Sequence, residues 1–210
     1  MGEVQRLQGR VRQAGHTTRA HPARQILPPV EPTSQGRKAK SRLVVQGFRD
    51  PHLPLLARDA AVLARSSLAC LLQFASSLGL ELLNADCKSA FLQGQPDDAR
   101  PEAVYFRPPK DGIAIKAVPE WNNDIIYQMV APVYGLSNAP RQWFAEFLGR
   151  MTAMGWRQHS LDPCLFLLVL KVDDGLEQTV GILGVHVDDI VACSTSDSGD
   201  ARDKVSKAFE

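Results

Sequence analysis

Short apolar runs, broken by Gly, Pro and Asp, recur along the whole of this chain after residue 40. SRLVVQGF reads as a strand that ends at Gly47. Leu56, Ala60, Leu63, Cys70, Leu71, Phe74 and Leu78 then recur at helical spacing, which predicts a helix over 55–78 stopped by Gly79. LELLNAD predicts a strand from Leu80 to Ala85, ending at Asp86, followed by a short turn or helix in CKSAFLQG. VYFR, stopped by Pro108 and Pro109, and IIYQMV, starting near Ile125, read as two more strands. Pro140 suits the first turn of a helix running to Ala153, with Trp143, Phe147, Met151 and Met154 on its core face. CLFLLVL, LEQTVGILGVHV and the run after Asp189 complete a meander. Residues 195–203 read as a loop and Arg202 onward as an opening helix. Strands with interspersed helices, and hairpin turns between the late strands, predict an α+β fold with an antiparallel sheet packed on helices.

Asp-Asp occurs three times, and the apolar pattern separates the three. Asp97-Asp98 lies among polar residues and reads as a solvated loop; Asp173-Asp174 precedes Gly175 and reads as a hairpin turn. Asp188-Asp189 alone is flanked on both sides by core-like residues, in VGILGVHVDDIVACS. Two strands joined there would bury both runs and lift two carboxylates to the tip. Like charges so close repel unless cations, donors or water stabilise them, so the pair is a candidate divalent-cation site as well as a plain turn. Asp86, at the end of a core strand, would either share those cations or cap the turn that follows.

Charge changes the picture at the start of the chain. The net charge is +1, yet residues 1–49 hold ten Lys/Arg against two Glu. A basic arm before a mildly acidic body suits contact with polyanions, and a solvated tail reads the same way. Residues 1–38 show no sustained apolar period, and ILPPVEPTSQG is rich in breakers, so a basic, disordered segment is expected there. Cys70, Cys87, Cys164 and Cys193 have no zinc-type spacing and sit in apolar surroundings, which predicts buried free thiols in a reducing compartment. No apolar run approaches membrane-spanning length, and MGEVQRLQGR is not a secretory signal.

Six blocks, taken in order, resemble one known family. KSRLVVQGF, NADCKSAFLQG, EAVYFRPPKDG, VYGLSNAPRQW, the DPCLF segment and GVHVDDIV are similar to the reverse transcriptase of Ty1/copia-type retrotransposons. The resemblance runs from Lys40 to the end, about four-fifths of the chain. It implies an incomplete fingers and palm domain over 39–210, with the thumb and RNase H parts belonging to a longer polyprotein. It implies RNA-directed DNA polymerisation on an RNA or DNA template with primer and dNTP. Asp86, Asp188 and Asp189 match the catalytic carboxylates, which hold two Mg2+ ions, with Mn2+ as a substitute. Lys40, Arg42, Cys87, Phe91, Asn138 and Arg141 match nucleotide-contacting positions; His186 and Val187 match primer-proximal ones. Phe91 would wall off a ribose 2′-hydroxyl, or serve simply as core. Two departures stand out: His186 where the family usually has Tyr, and SNAP where Lys-Gln-Ala-Pro is commoner. The expected setting is the cytoplasm, the nucleus or a retrotransposon particle, without membrane contact. The alternatives are a nucleic-acid-binding chain without turnover, a metal-dependent nuclease or phosphatase, and a purely structural protein.

Overall fold

The computed structural model describes residues 42–98, 100, 102–109, 124–171 and 175–195, together with four earlier backbone strands. The chain forms two units, Met1–Asp59 with Phe91–Trp143, and Ala60–Ala90 with Phe144–Glu210.

In the first unit the strands are β1 Val11–Gly15, β2 His21–Ile26, β3 Glu31–Thr33, β4 Gly36–Lys38 and β5 Arg42–Val45, then β7 Val104–Arg107 and β8 Ile126–Met129. They make a sheet in the order β1-β8-β7-β2-β5, and β3 pairs with β4 alone. Strands therefore occur within 1–38, a stretch whose composition predicts little order. Strand pairing engages backbone groups that every residue except proline carries in full, so it leaves no apolar period to read. The core of this unit gathers Leu43, Val45, Leu92, Phe106, Tyr127 and Met129, among others. Behind β5 the backbone crosses another segment at two glycines. Val45 N–H donates to Tyr134 O at 2.9 Å and Gly47 N–H to Gly135 O at 3.2 Å. A Cβ on Gly135, whose φ is +91°, would land on the Val45 carbonyl oxygen; one on Gly47 would land on that of Gly135. Glycine is required there by contact as well as by conformation.

The second unit holds helix α1 Arg65–Leu78, strand β6 Leu83–Asp86, and the strands β9 Trp156–Gln158, β10 Leu165–Lys171, β11 Glu177–His186 and β12 Asp189–Ser194. Between the units' elements the chain also forms α2 Ala90–Gln93 and α3 Ala139–Ala153. The second sheet is antiparallel throughout, in the order β6-β12-β11-β10-β9. It packs α1 through Leu71 and Ala75, with Leu165 and Cys193 in the same cluster. In α3, Trp143, Phe147 and Met151 are fully buried, and the Phe147 ring meets Phe166 edge-on at 5.6 Å. Burying each such side chain contributes roughly 1.5–3 kcal/mol. The expected α+β class with an antiparallel sheet packed on helices is what forms.

Three local readings change. The first helix starts at Arg65, ten residues later than its apolar spacing suggests. Ala64 precedes it without a capping side chain of its own, and the cap comes from Asp162, whose Oδ2 accepts the Ala64 N–H at 3.0 Å. Cys70 faces solvent and is not buried, because α1 packs along the Leu71–Ala75 side; the other three thiols are buried, and all four are free. β6 starts at Leu83, not Leu80, since the Leu80 N–H closes the helix end onto Ala75 O at 2.8 Å, after Gly79 at φ 62°. β9, unread in the sequence, is a short strand held by pairing with β10. The Asp173-Asp174 turn, the loop after 195 and the final helix lie outside the described residues.

Asp162 is 6% exposed and collects several donors. Burial raises its pKa, but hydrogen bonds from Ser67, Ala64 and Cys164 and the nearby His159 outweigh it and hold the carboxyl below its ordinary 3.8. A depressed carboxyl stabilises the fold above its unfolded pKa, and that contribution is lost as pH falls through the folded value. Asp162→Ala is expected to lose about 1–3 kcal/mol for each amide it strands. In urea titrations the wild-type excess stability should begin to shrink below roughly pH 4, near the unfolded carboxyl pKa, and go on falling as pH drops through the lower folded value. An equal gap at pH 3 and pH 7 would contradict this account of the cap.

Among the described residues no helix is long and apolar enough to cross a membrane.

Candidate active site

The hairpin β11–β12 buries its apolar runs and leaves its tip in solvent. Val185 and Ile190 are paired and almost wholly buried; one step further, His186 pairs with Asp189 and both are exposed. Val187 and Asp188 therefore form a two-residue turn. Val187 takes φ 61°, a conformation that such turns usually give to glycine. A β-branched residue held there stores strain of order 1–3 kcal/mol. The flanking ladder supplies the restraint that keeps it.

The third carboxylate arrives from the neighbouring strand. β6 runs antiparallel to β12, and Asp86 stands directly opposite Asp189. Directly opposed residues carry their Cβ atoms roughly 4.5–5.5 Å apart. The ladder then continues beyond the strand end, because Cys87 N–H donates to Asp188 O at 2.8 Å. Residues 103 positions apart in the chain thus face each other across one strand pair. The Cys87 thiol reports the same convergence. Burial pushes it up to about 12, with the charges of Asp86, Asp188 and Asp189 adding to the rise and Arg150 opposing it. The thiol therefore stays protonated at neutral pH and contributes no anion to the site. Among the described residues, no three His, Cys, Asp or Glu side chains stand in a ready metal-ligating group.

The remaining expected site residues have these places. Phe91, Asn138 and Arg141 belong to the first unit, as does Arg42, which lies on β5. Lys40 lies outside the described residues. Phe91 is half-buried, with its ring tilted against Tyr134 at 5.2 Å. Asn138 is 3% exposed, and its Nδ2 donates to Asp97 Oδ2 at 2.8 Å. Arg141 is exposed and donates from Nη1 to the Asp59 carbonyl at 3.3 Å. Cys87 is 1% exposed; His186 and Val187 are solvent-facing at the tip.

Sequence reasoning passed over three charged residues that the fold uses. Asp97 does not lie free in a solvated loop: it is half-buried and holds Asn138. Asp50 and Arg100 form a buried ion pair at 2.7 Å. Asp97 carried a signal only as part of an acidic pair, and the Asp50–Arg100 partnership carried none, being fifty residues apart.

Comparison with known proteins agrees with the ordered blocks. The family model described as reverse transcriptase (RNA-dependent DNA polymerase) matches residues 18–209. The chain is 30% identical over 148 residues to the retrovirus-related Pol polyprotein from transposon TNT 1-94 of Nicotiana tabacum, covering 65% of this chain and 10% of that protein. It is 28% identical over 153 residues to the retrovirus-related Pol polyproteins from transposons RE2 and RE1 of Arabidopsis thaliana, covering 72% of this chain. The chain spans 10% and 9% of those two proteins. It belongs to the reverse transcriptase (RNA-dependent DNA polymerase) family, in the form carried by Ty1/copia-type retrotransposon Pol polyproteins.

Proposed function

We propose that this chain carries the nucleotidyl-transfer centre of an RNA-directed DNA polymerase, adding dNTPs to a primer 3′-hydroxyl on an RNA or DNA template. The observation that carries the reading is the register that sets Asp86 against Asp189 with Asp188 in the adjoining turn. The residues fit the group they would hold. Carboxylate oxygens are hard ligands suited to Mg2+, with Mn2+ as a substitute, and the hairpin tip is exposed to solvent. Two bound Mg2+ ions would supply a lowered pKa at the primer hydroxyl and charge neutralisation on the triphosphate. The chain's own part is to hold three negative side chains on a braced edge. Exposed side chains rotate on the picosecond-to-nanosecond scale, so Asp86 and Asp189 are free to reorient toward a cation.

In this reading the sheet carrying the hairpin is the palm, and the strand entered from Lys40 and Arg42 belongs to the fingers. Lys40, Arg42, Cys87, Asn138 and Arg141 serve the incoming nucleotide, His186 and Val187 the primer end. The Asn138 side chain would act by bracing the turn before α3, since its amide is already spent on Asp97. The setting is the cytoplasm, nucleus or particle of a retrotransposon, with the longer polyprotein as partner.

Primer extension on an RNA template with Mg2+ tests the reading, the Asp188→Asn protein being the control. Binding of primer–template without extension by the wild type would favour a nucleic-acid-binding chain without turnover. A second expectation concerns sugar choice. Phe91→Val should raise ribonucleotide incorporation at least tenfold, because a smaller side chain removes the wall against a 2′-hydroxyl. Unchanged incorporation would assign Phe91 to the core that its contact with Tyr134 already serves.

A further inference from the structure

At the hairpin tip this chain carries His186 where its family usually has tyrosine. The exchange alters donor chemistry as well as size. Tyrosine presents a phenol that keeps its proton at neutral pH and is a poor ligand, whereas imidazole is the commonest metal ligand among side chains.

The strand register gives that imidazole its neighbours. His186 stands directly opposite Asp189, and Asp189 directly opposite Asp86. Directly opposed residues project from the same face of a sheet, with Cβ atoms roughly 4.5–5.5 Å apart. Burial agrees with that reading of the faces. His186, Asp189 and Asp86 are all exposed, while on the next rung Val185 and Ile190 are buried and Ala85 is partly so. An imidazole and two carboxylates therefore form a row across β11, β12 and β6. None of the ion pairs among the described residues engages any of the three. They do not stand in a ready ligating group, but exposed side chains can turn toward an ion.

Donor chemistry decides what such a row prefers. Mg2+ takes oxygen ligands and gains little from a nitrogen. First-row transition ions do gain from one, increasingly in the order Mn2+, Co2+, Ni2+. Cys87, the other non-oxygen donor beside the tip, is buried with its thiol pushed up to about 12, so it supplies no thiolate. The preference of the edge therefore turns on the imidazole.

We propose that His186, paired with Asp189, is a metal ligand that tilts the carboxylate edge from Mg2+ toward first-row transition-metal ions. The proposal deepens the reading of that edge as a cation-binding centre and rests on it. Its test needs neither nucleotide nor primer.

Mg2+, Mn2+, Co2+ and Ni2+ are each titrated alone into the full chain, free of any polyhistidine tag, by calorimetry. His186→Phe and His186→Tyr both remove the nitrogen donor at an exposed position, and circular dichroism checks their fold. Histidines elsewhere in the chain contribute equally to wild type and variants. Mg2+ affinity should stay within about twofold, Mn2+ should fall several-fold, and Co2+ and Ni2+ by about tenfold or more, the usual scale for a group that tunes a metal site. A graded loss of this kind in both variants supports nitrogen ligation. An equal loss for all four ions would make His186 a structural residue only, and unchanged Ni2+ binding would remove it from the site; either result overturns the proposal. Asp189→Asn separates this proposal from the reading beneath it and should weaken all four ions. If Asp189→Asn weakens Mg2+ binding while the His186 variants change nothing, the proposal alone fails. If Asp189→Asn also changes nothing, the edge is no cation site and both fail.

Discussion

The Asp188→Asn protein is expected to extend a primer at least ~10²-fold more slowly than the wild type, the scale of one preorganised electrostatic contribution. The change is nearly isosteric, and the structure indicates why the fold should survive it. What ties Asp188 to β6 is its backbone carbonyl, which accepts the Cys87 N–H at 2.8 Å whatever the side chain. The two-residue turn likewise depends on Val187 and on the flanking ladder, not on a carboxylate. What disappears is one negative charge from a group of three, and with it part of the attraction for paired divalent cations. Chelation of Mg2+ should have the same effect on the wild type and little further effect on the variant. Far-UV circular dichroism and the urea midpoint should match the wild type within about 0.5 kcal/mol, as for surface changes away from packing. Normal extension by the variant would sink the polymerase reading, and loss of both fold and activity would call for Asp86→Asn instead, since that side chain is exposed at a strand end.

The parts of this architecture written in the sequence are those whose cause is local. β11 and β12 show their buried runs directly, and α3 announces both its start, through Pro140, and its core stripe. The place of Asp86 was only half legible: a carboxylate ending a core strand could join the acidic hairpin tip or cap the next turn, and only the strand register sets it opposite Asp189. The start of α1 was not legible, because its cap is Asp162, ninety-eight residues away. Nor was the exposure of Cys70, which depends on how α1 is rotated against Leu165 and Cys193. Backbone pairing in the basic arm leaves no hydrophobic signature, so β1 to β4 could not be read from apolar spacing. Local chemistry is visible in one dimension; satisfaction of a polar group by a distant partner is visible only after folding.

Asp50→Ala is expected to be the most destabilising single substitution among the charged residues of the first unit, by about 3–5 kcal/mol. Asp50 and Arg100 are 3% and 10% exposed at the side chain and meet at 2.7 Å, so neither is screened by water as a surface pair would be. The other Asp50 oxygen, Oδ1, accepts the His52 N–H at 3.0 Å, fixing the turn after Gly47. Removing the carboxylate leaves a buried guanidinium with its charge uncompensated and a backbone amide without its acceptor. Truncating both partners should behave differently. Asp50→Leu combined with Arg100→Met replaces the pair by apolar groups, and it should recover most of the loss because no buried charge remains. Hydrogen exchange of the Val104–Arg107 amides, followed with urea unfolding of the full chain, would read the effect in β7, the strand that follows Arg100 in the chain. If Asp50→Ala lost less than 1 kcal/mol, the guanidinium would have to be reaching water or another acceptor.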